Sequence, residues 1–267
     1  MTRLCTLLDA EAVAERAARE ITQHLERARE ERGVAHLALS GGSTPERTHE
    51  LLAKTVKDWQ GIEVWFADER CVGPEHPESN YLMVHKTLLE HISVPPPRVH
   101  RMEGELGPEA GAERYAQALR EHVAPGEVSA PASDAGRGPE IGRGPELPIL
   151  DVVVLGIGPD GHVASLFPGA PTLDAGAEAV CLGVHNSPKP PPERITLSMA
   201  VLRAARHVLL PATGAGKRDA IQGALGEATH QVPASLLRRE RLTIVINDEA
   251  SPPASSATRQ NADCKNL

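Results

Sequence analysis

The run Leu150-Asp151-Val152-Val153-Val154-Leu155 most tightly constrains how this chain can fold. Three valines between leucines favour an extended backbone, and the lack of polar alternation requires cover on both faces. Residues 34–39, 62–66, 180–184, 195–197, 207–210 and 242–246 read as further strands. Helical periodicity lies between them. Asp9 is placed to cap a helix carrying Val13, Ala17, Ile21, Leu25 and Ala28, which Gly33 ends. Residues 80–91 and 109–122 also read as helices, another follows Lys217, and Pro45 stands where a first helical turn opens. Doubly covered strands alternating with helices predict an α/β fold. The expected architecture is a single three-layer α/β/α domain with a largely parallel, Rossmann-like central sheet.

The length of 267 residues fits one large domain, taken as residues 1–249. Within it, residues 124–148 are rich in Gly and Pro, with GRGPE at 136–140 repeated at 142–146. They read as a flexible insertion, and 250–267 as a disordered tail. The formal charge is −8, and Trp, Tyr and Phe occur only twice each. That balance lacks the basic footprint and stacking platforms of a nucleic-acid binder. No apolar stretch is long enough to span a bilayer, and the N-terminus turns acidic too early for a signal peptide. Cys5, Cys71, Cys181 and Cys264 are scattered without metal-ligand spacing. Disulfides and zinc are therefore not expected, and isolated thiols suit a reducing cytoplasm.

In parallel sheets ligands bind beyond the carboxyl ends of the strands, so the residues after each strand matter most. Four of these exits are distinctive. Ser40-Gly41-Gly42-Ser43-Thr44-Pro45 offers close backbone approach, hydroxyls and the N–H groups of a helix start, which together suit an anion. The same segment also suits a plain turn with Ser or Thr as N-cap. Ala67-Asp68-Glu69-Arg70 places a phosphate-matched guanidinium at a strand end, where three charges also simply meet solvent. Gly156-Ile157-Gly158-Pro159-Asp160-Gly161-His162 matches GxGxxG literally. Pro159 lies inside the loop, however, and Phe167-Pro168-Gly169 breaks a following helix after about two turns, so the dinucleotide reading is rejected. What remains is a loop that delivers Asp160 and His162, the latter suited to take a proton near neutral pH. Thr213-Gly214-Ala215-Gly216-Lys217 fails the Walker pattern at Pro211 and Arg218 but leaves Lys217 as a phosphate contact. Together these exits describe a site for a small phosphorylated substrate with a histidine acid/base.

Ser40-Gly-Gly-Ser-Thr-Pro45, Trp65-Phe-Ala-Asp-Glu-Arg70 with Ser79-Asn80-Tyr81, and the segment from Gly156 to Gly169 resemble the 6-phosphogluconolactonase family. Glu193-Arg194-Ile-Thr-Leu197 and Gly214-Ala-Gly-Lys217 extend the resemblance, which runs roughly from residue 10 to 247 by motif order. Val163 departs from it, since the family commonly has Thr after the His. The resemblance implies hydrolysis of 6-phospho-D-glucono-1,5-lactone to 6-phospho-D-gluconate in the oxidative pentose phosphate pathway, without metal or cofactor. It implies His162 as general base, oriented or polarised by Asp160. Gly41, Gly42, Ser43, Thr44, Asp68, Arg70, Arg194 and Lys217 become the substrate and phosphate contacts. The expected partner is the small phosphosugar lactone, with no nucleic acid or membrane, in a cytoplasmic monomer or weak homo-oligomer.

A glucosamine-6-phosphate deaminase is the nearest alternative. Its family has Asn-Glu after the His, where this chain has Leu166 and Phe167, and usually Tyr at the position of Arg70. A non-catalytic sugar-phosphate sensor would usually carry a basic DNA-binding helix pair, and no such segment is present. Four of the six rings, Trp65, Phe66, Tyr81 and Phe167, fall in or beside the motifs, so aromatics are expected to gather at the site.

Overall fold

The computed structural model describes residues 2–92, 98–127 and 146–253. Its strands are β1 (Arg3–Leu7), β2 (Ala35–Leu39), β3 (Ile62–Phe66), β4 (Asp68–Arg70), β5 (Arg98–Val99), β6 (Pro125–Glu127), β7 (Glu146–Pro148), β8 (Val152–Val154), β9 (Cys181–Val184), β10 (Arg194–Leu197), β11 (His207–Ala212) and β12 (Leu242–Asn247). The helices are α1 (Ala10–Arg32), α2 (Ser43–Thr55), α3 (Asn80–Thr87), α4 (Pro108–His122), α5 (Met199–Ala204) and α6 (Arg218–Leu225). Seven strands form the central sheet in the order β1-β12-β11-β8-β2-β3-β5. Every pairing in it is parallel. β2, β8, β11 and β12 are buried along their whole length, which is what their unbroken apolar runs require.

The layer structure follows from local signals. The Asp9 side chain accepts from Ala12 N at 2.8 Å and caps α1, and Gly33 closes it at φ 78°. Such a cap contributes about 1 kcal/mol. Val13, Ala17, Ile21, Leu25 and Ala28 are buried on one face of α1, which packs against α2 and the sheet. A second, antiparallel sheet of β4, β10 and β9 continues from the end of β3. The sequence reading did not anticipate this sheet or the edge strand β1.

From β2 the chain runs outward to β3 and β5, and from β8 it runs the other way to β11 and β12. The β2–β8 boundary is therefore the topological switch point, where parallel sheets open a crevice. β11, β8, β2 and β3 are neighbours, so the four distinctive exits, scattered along the chain, open side by side.

Several expectations need correction. Residues 124–148 are not wholly a loose insertion: β6 and β7 pair in register and Leu147 is buried, because its apolar side chain has a core to enter. Residues 128–145 lie outside the described residues. The tail does not begin at Ala250, which is fully buried in a 3-10 turn; 254–267 lie outside the described residues. The helix expected over 80–91 stops at Thr87 and gives way to a 3-10 turn over Leu89–His91. Cys71 and Cys181 are free thiols, but Cys5 is disulfide-bonded, so the argument from four isolated thiols fails there. Pairing depends on distance in space, which sequence spacing does not report. Among the described residues, no helix is long and apolar enough to cross a membrane.

Candidate active site

The four exits line one cleft of about 200 Å³. Hydrogen bonds stitch them together. Gly156 N donates to Ser40 Oγ at 3.0 Å, and Lys217 Nζ donates to the Ile157 carbonyl at 2.7 Å. Thr44 and Thr213 share a hydroxyl bond of 3.1 Å, and Ser165 Oγ donates to Asp68 Oδ2 at 2.7 Å. Gly41, Gly42, Ser43, Thr44, Asp68, Arg70, His162, Arg194 and Lys217 all line the cleft. Asp160 does not; it stands behind His162.

The first exit settles the alternative raised by its sequence. The N-cap of α2 is Gly42 at φ 116°, and no side chain caps it. A Ser or Thr cap would have consumed the first-turn N–H groups. Here the amides of Ser43 and Thr44 stay available to an anion, with the helix dipole behind them. Gly41 is fixed by contact: a Cβ there would stand 2.1 Å from Asn80 Oδ1.

Arg70 and Arg194 are directly opposed across β4 and β10. Like charges so placed repel, and acidic neighbours offset the repulsion: Asp68, Glu69 and Glu78 all act on Arg194. Burial, more than Arg70, lowers the Arg194 pKa. Arg70 Nη1 donates to the Glu78 carbonyl, whereas its buried Nε has no protein partner. Arg194 is occupied differently. Its Nε donates to Pro191 O, and its Nη2 donates to Lys189 O and Pro190 O, all at 3.0–3.1 Å. It is first a clamp on the 189–191 backbone.

Asp68 also serves the scaffold. Oδ2 accepts from Ser165, and Oδ1 accepts from Asn80 Nδ2 at 3.2 Å. The adjacent Glu69, buried, accepts from the backbone N–H groups of Arg70, Asn80 and Tyr81 and from Ser79 Oγ. Burial raises its pKa despite those bonds. This carboxylate ties the start of α3 to β4 and so positions Asn80 and Arg70.

His162 and Asp160 meet with Nδ1 and Oδ1 2.5 Å apart. With the proton on Nδ1, the carboxylate fixes the tautomer whose Nε2 is basic. Burial is the largest influence on His162 and lowers its pKa; Asp160 opposes it and Lys189 assists it. Burial raises Asp160, but the bond to His162 and the charges of His162 and Lys189 outweigh it and hold the carboxyl below its ordinary value. Lys217 is lowered, first by burial and then by Lys189. No helix follows this loop; residues 157–169 are turns and isolated bridges, against the two turns the sequence allowed. The rejection of a dinucleotide site stands, since that motif needs a helix start there.

The expected gathering of aromatics does not hold. Phe167 alone reaches the site, 4.7 Å from the His162 ring and 5.7 Å from the Arg194 guanidinium. Trp65 and Phe66 are fully buried in the core, Trp65 stacking on His100 at 3.7 Å. Sequence reasoning also missed Asn80 and Lys189, both of which line the cleft. Asn80 was within the quoted motif; Lys189 precedes a strand, where no exit would be sought.

A family profile described as glucosamine-6-phosphate isomerases/6-phosphogluconolactonase matches residues 8–246. A 6-phosphogluconolactonase of Streptomyces coelicolor is 36% identical, covering 93% of this chain and 96% of its own. One from Mycobacterium leprae is 34% identical, with 90% and 93% covered. Among solved structures, 6-phosphogluconolactonase from Leishmania guyanensis superposes with a TM-score of 0.79 at 26% identity, covering 96% of this chain and all of that one.

Proposed function

Because the chain belongs to the glucosamine-6-phosphate isomerase/6-phosphogluconolactonase family, we propose that it hydrolyses 6-phospho-D-glucono-1,5-lactone to 6-phospho-D-gluconate. The observation that carries this reading is the His162–Asp160 pair, 2.5 Å apart, at a cleft that Arg70, Lys217 and the uncapped start of α2 also line. Near-full-length relatives bearing that name support it.

In this mechanism Nε2 of His162 takes a proton from water as the water oxygen adds to C1 of the lactone. Backbone N–H groups of the glycine loops stabilise the oxyanion. Collapse breaks the C1–O5 bond, His162 returns its proton to O5, and the new carboxylic acid ionises to solvent. Ser43, Thr44, Arg70 and Lys217 hold the 6-phosphate, with Gly41 and Gly42 permitting its approach. The same proposal places the reaction in the oxidative pentose phosphate pathway. It assigns a cytoplasmic monomer or weak homo-oligomer, with no nucleic-acid or membrane partner.

The test is lactone hydrolysis above the spontaneous reaction, which this substrate also undergoes. Activity requires neutral His162. Its lowered pKa keeps it neutral to lower pH than an ordinary histidine, so activity is present at neutral pH and lost on acidification, with a midpoint below about 6.5. Unphosphorylated glucono-1,5-lactone gives the cleaner profile, because a phosphate ester itself titrates near pH ~6. A midpoint above the ordinary histidine value, or no turnover over background, refutes the reading.

Arg70→Ala should raise KM for the phosphorylated lactone about tenfold or more, the loss of one charge-assisted contact, with a smaller change in kcat. An unchanged KM counts against phosphate binding at Arg70.

A further inference from the structure

Arg194 is buried and lines the cleft, yet one edge of its guanidinium is taken by the chain itself. Nε donates to the Pro191 carbonyl at 3.1 Å, and Nη2 donates to the Lys189 and Pro190 carbonyls at 3.0 Å each. These are three successive carbonyls in the turn that joins β9 to β10. Ser187 secures the same turn. Its N–H donates to the Pro192 carbonyl at 2.9 Å, and its Oγ donates to Lys189 O at 3.0 Å and accepts from Lys189 N at 3.3 Å. The residue held most firmly is Lys189.

From that anchored backbone the Lys189 ammonium reaches the catalytic pair. Nζ lies 3.3 Å from His162 Nδ1 and 3.6 Å from Asp160 Oδ1, the oxygen that His162 Nδ1 meets at 2.5 Å. With its proton given to Asp160, Nδ1 has no lone pair for an ammonium, so Lys189 acts on the pair as a charge. The pair needs one. A carboxylate in contact favours the imidazolium, and a phosphate dianion in the same cleft adds to that pull. A protonated His162 takes no proton from water. A cation at this distance opposes both anions.

We infer that Arg194 acts on the reaction through Lys189: by holding three successive carbonyls it fixes the turn that sets an ammonium beside the Asp160–His162 pair, and that charge keeps the base unprotonated while a phosphate dianion shares the cleft. The lactone and its phosphate rest on the lactonase reading. Neither residue makes or breaks a bond to the substrate in this role. Arg194 is a positioning residue, and Lys189 carries the charge it positions.

The other charged groups facing His162 are Asp160 on its own loop and, farther off, Asp68 on β4; both favour the imidazolium, whereas Lys189 disfavours it. Lys217, from the turn before α6, interacts with Asp160 and Lys189. Arg194 lies over the Phe167 ring that faces His162.

Lys189→Met keeps the stem and deletes the charge. Arg194→Lys keeps the charge and loses the planar edge that grips the turn. Nitrogen NMR of the free protein, with the His162 signals assigned by their absence in His162→Ala, follows the imidazole titration. Lys189→Met should titrate about one unit higher than wild type, the effect of a unit charge at 3.3 Å with water-like screening. Arg194→Lys should move His162 the same way by less, and should add nothing in the Lys189→Met background. Where Arg194→Lys fails to fold, Ser187→Ala loosens the same turn and carries the same two expectations. In turnover of the phosphorylated lactone, the acid midpoint of kcat should rise with Lys189→Met, and the kcat values should converge well above both midpoints.

An unchanged His162 titration in Lys189→Met or in the loosened turn overturns the inference. So does an Arg194→Lys shift that persists without Lys189, or a defect confined to KM, which would make Arg194 a substrate contact instead. Wild-type protein without any lactone turnover would sink the lactonase reading, while the NMR comparison still decides whether Arg194 reaches His162 through Lys189.

Discussion

His162→Ala is expected to lower kcat by about two to four orders of magnitude, the usual contribution of a positioned acid/base. The imidazole is the titratable ring in the cleft, and Asp160 orients it at 2.5 Å. Arg70, Lys217 and the start of α2 remain in the variant, so binding of 6-phosphogluconate should survive with a Kd within a few-fold of wild type. That separation is the informative outcome, because loss of binding together with turnover would indicate a collapsed site rather than a missing base. Near-normal kcat, measured against the spontaneous reaction, would remove His162 from the mechanism.

Gly158→Ala should be almost as damaging without touching a reactive group. A Cβ at this position would stand 2.0 Å from His162 Nδ1, 2.1 Å from His162 Cε1 and 2.3 Å from Asp160 Oδ1. None of these distances is tolerable between heavy atoms that are not bonded. Backbone freedom is not the reason for this glycine, since Gly158 is absent from the residues at positive φ. The histidine–carboxylate pair occupies the space a side chain would fill. One methyl group must therefore push the pair apart or rotate the imidazole. A displacement of about 1 Å in a reacting group can cost on the order of a hundredfold in rate, and kcat should fall by roughly that factor. Circular dichroism and the thermal midpoint should stay close to wild type, because the methyl group meets a solvent-facing cleft rather than the core. A variant with wild-type kcat would show that the pair need not be held in this geometry.

Much of this site was legible because parallel strands advertise their exits. Val152–Val154 needs cover on both faces, which forces the Gly156–His162 loop to the sheet edge, and the same reasoning located residues 40–45, Arg70 and Lys217. What escaped lies off that pattern. Lys189 sits in a proline-rich turn before β10, and the carbonyl clamp from Arg194 that fixes it leaves no periodic trace. Arg194 lines the cleft, but the three carbonyls that take its Nε and Nη2 leave no mark in the sequence. Asp68 and Glu69 look like solvated charges at a strand end, yet both are buried and hold other chain segments. The edge strand β1 was missed because Arg3 and Thr6 interrupt a five-residue run, too short for periodicity to register.

The ribbon of β6 and β7 carries a different implication. The chain leaves it at Glu127 and re-enters at Glu146, opposite one another in register. From there it passes Asp151, whose N–H donates to the His36 carbonyl at the amino end of β2. The gateway thus lies at the sheet edge away from the cleft, and its two posts are held together by their own backbone bonds. Closing a longer loop between fixed posts costs only about 0.6 kcal/mol per doubling of length. A change of chain length between the two posts therefore enters the fold at the end of the sheet opposite the catalytic edge.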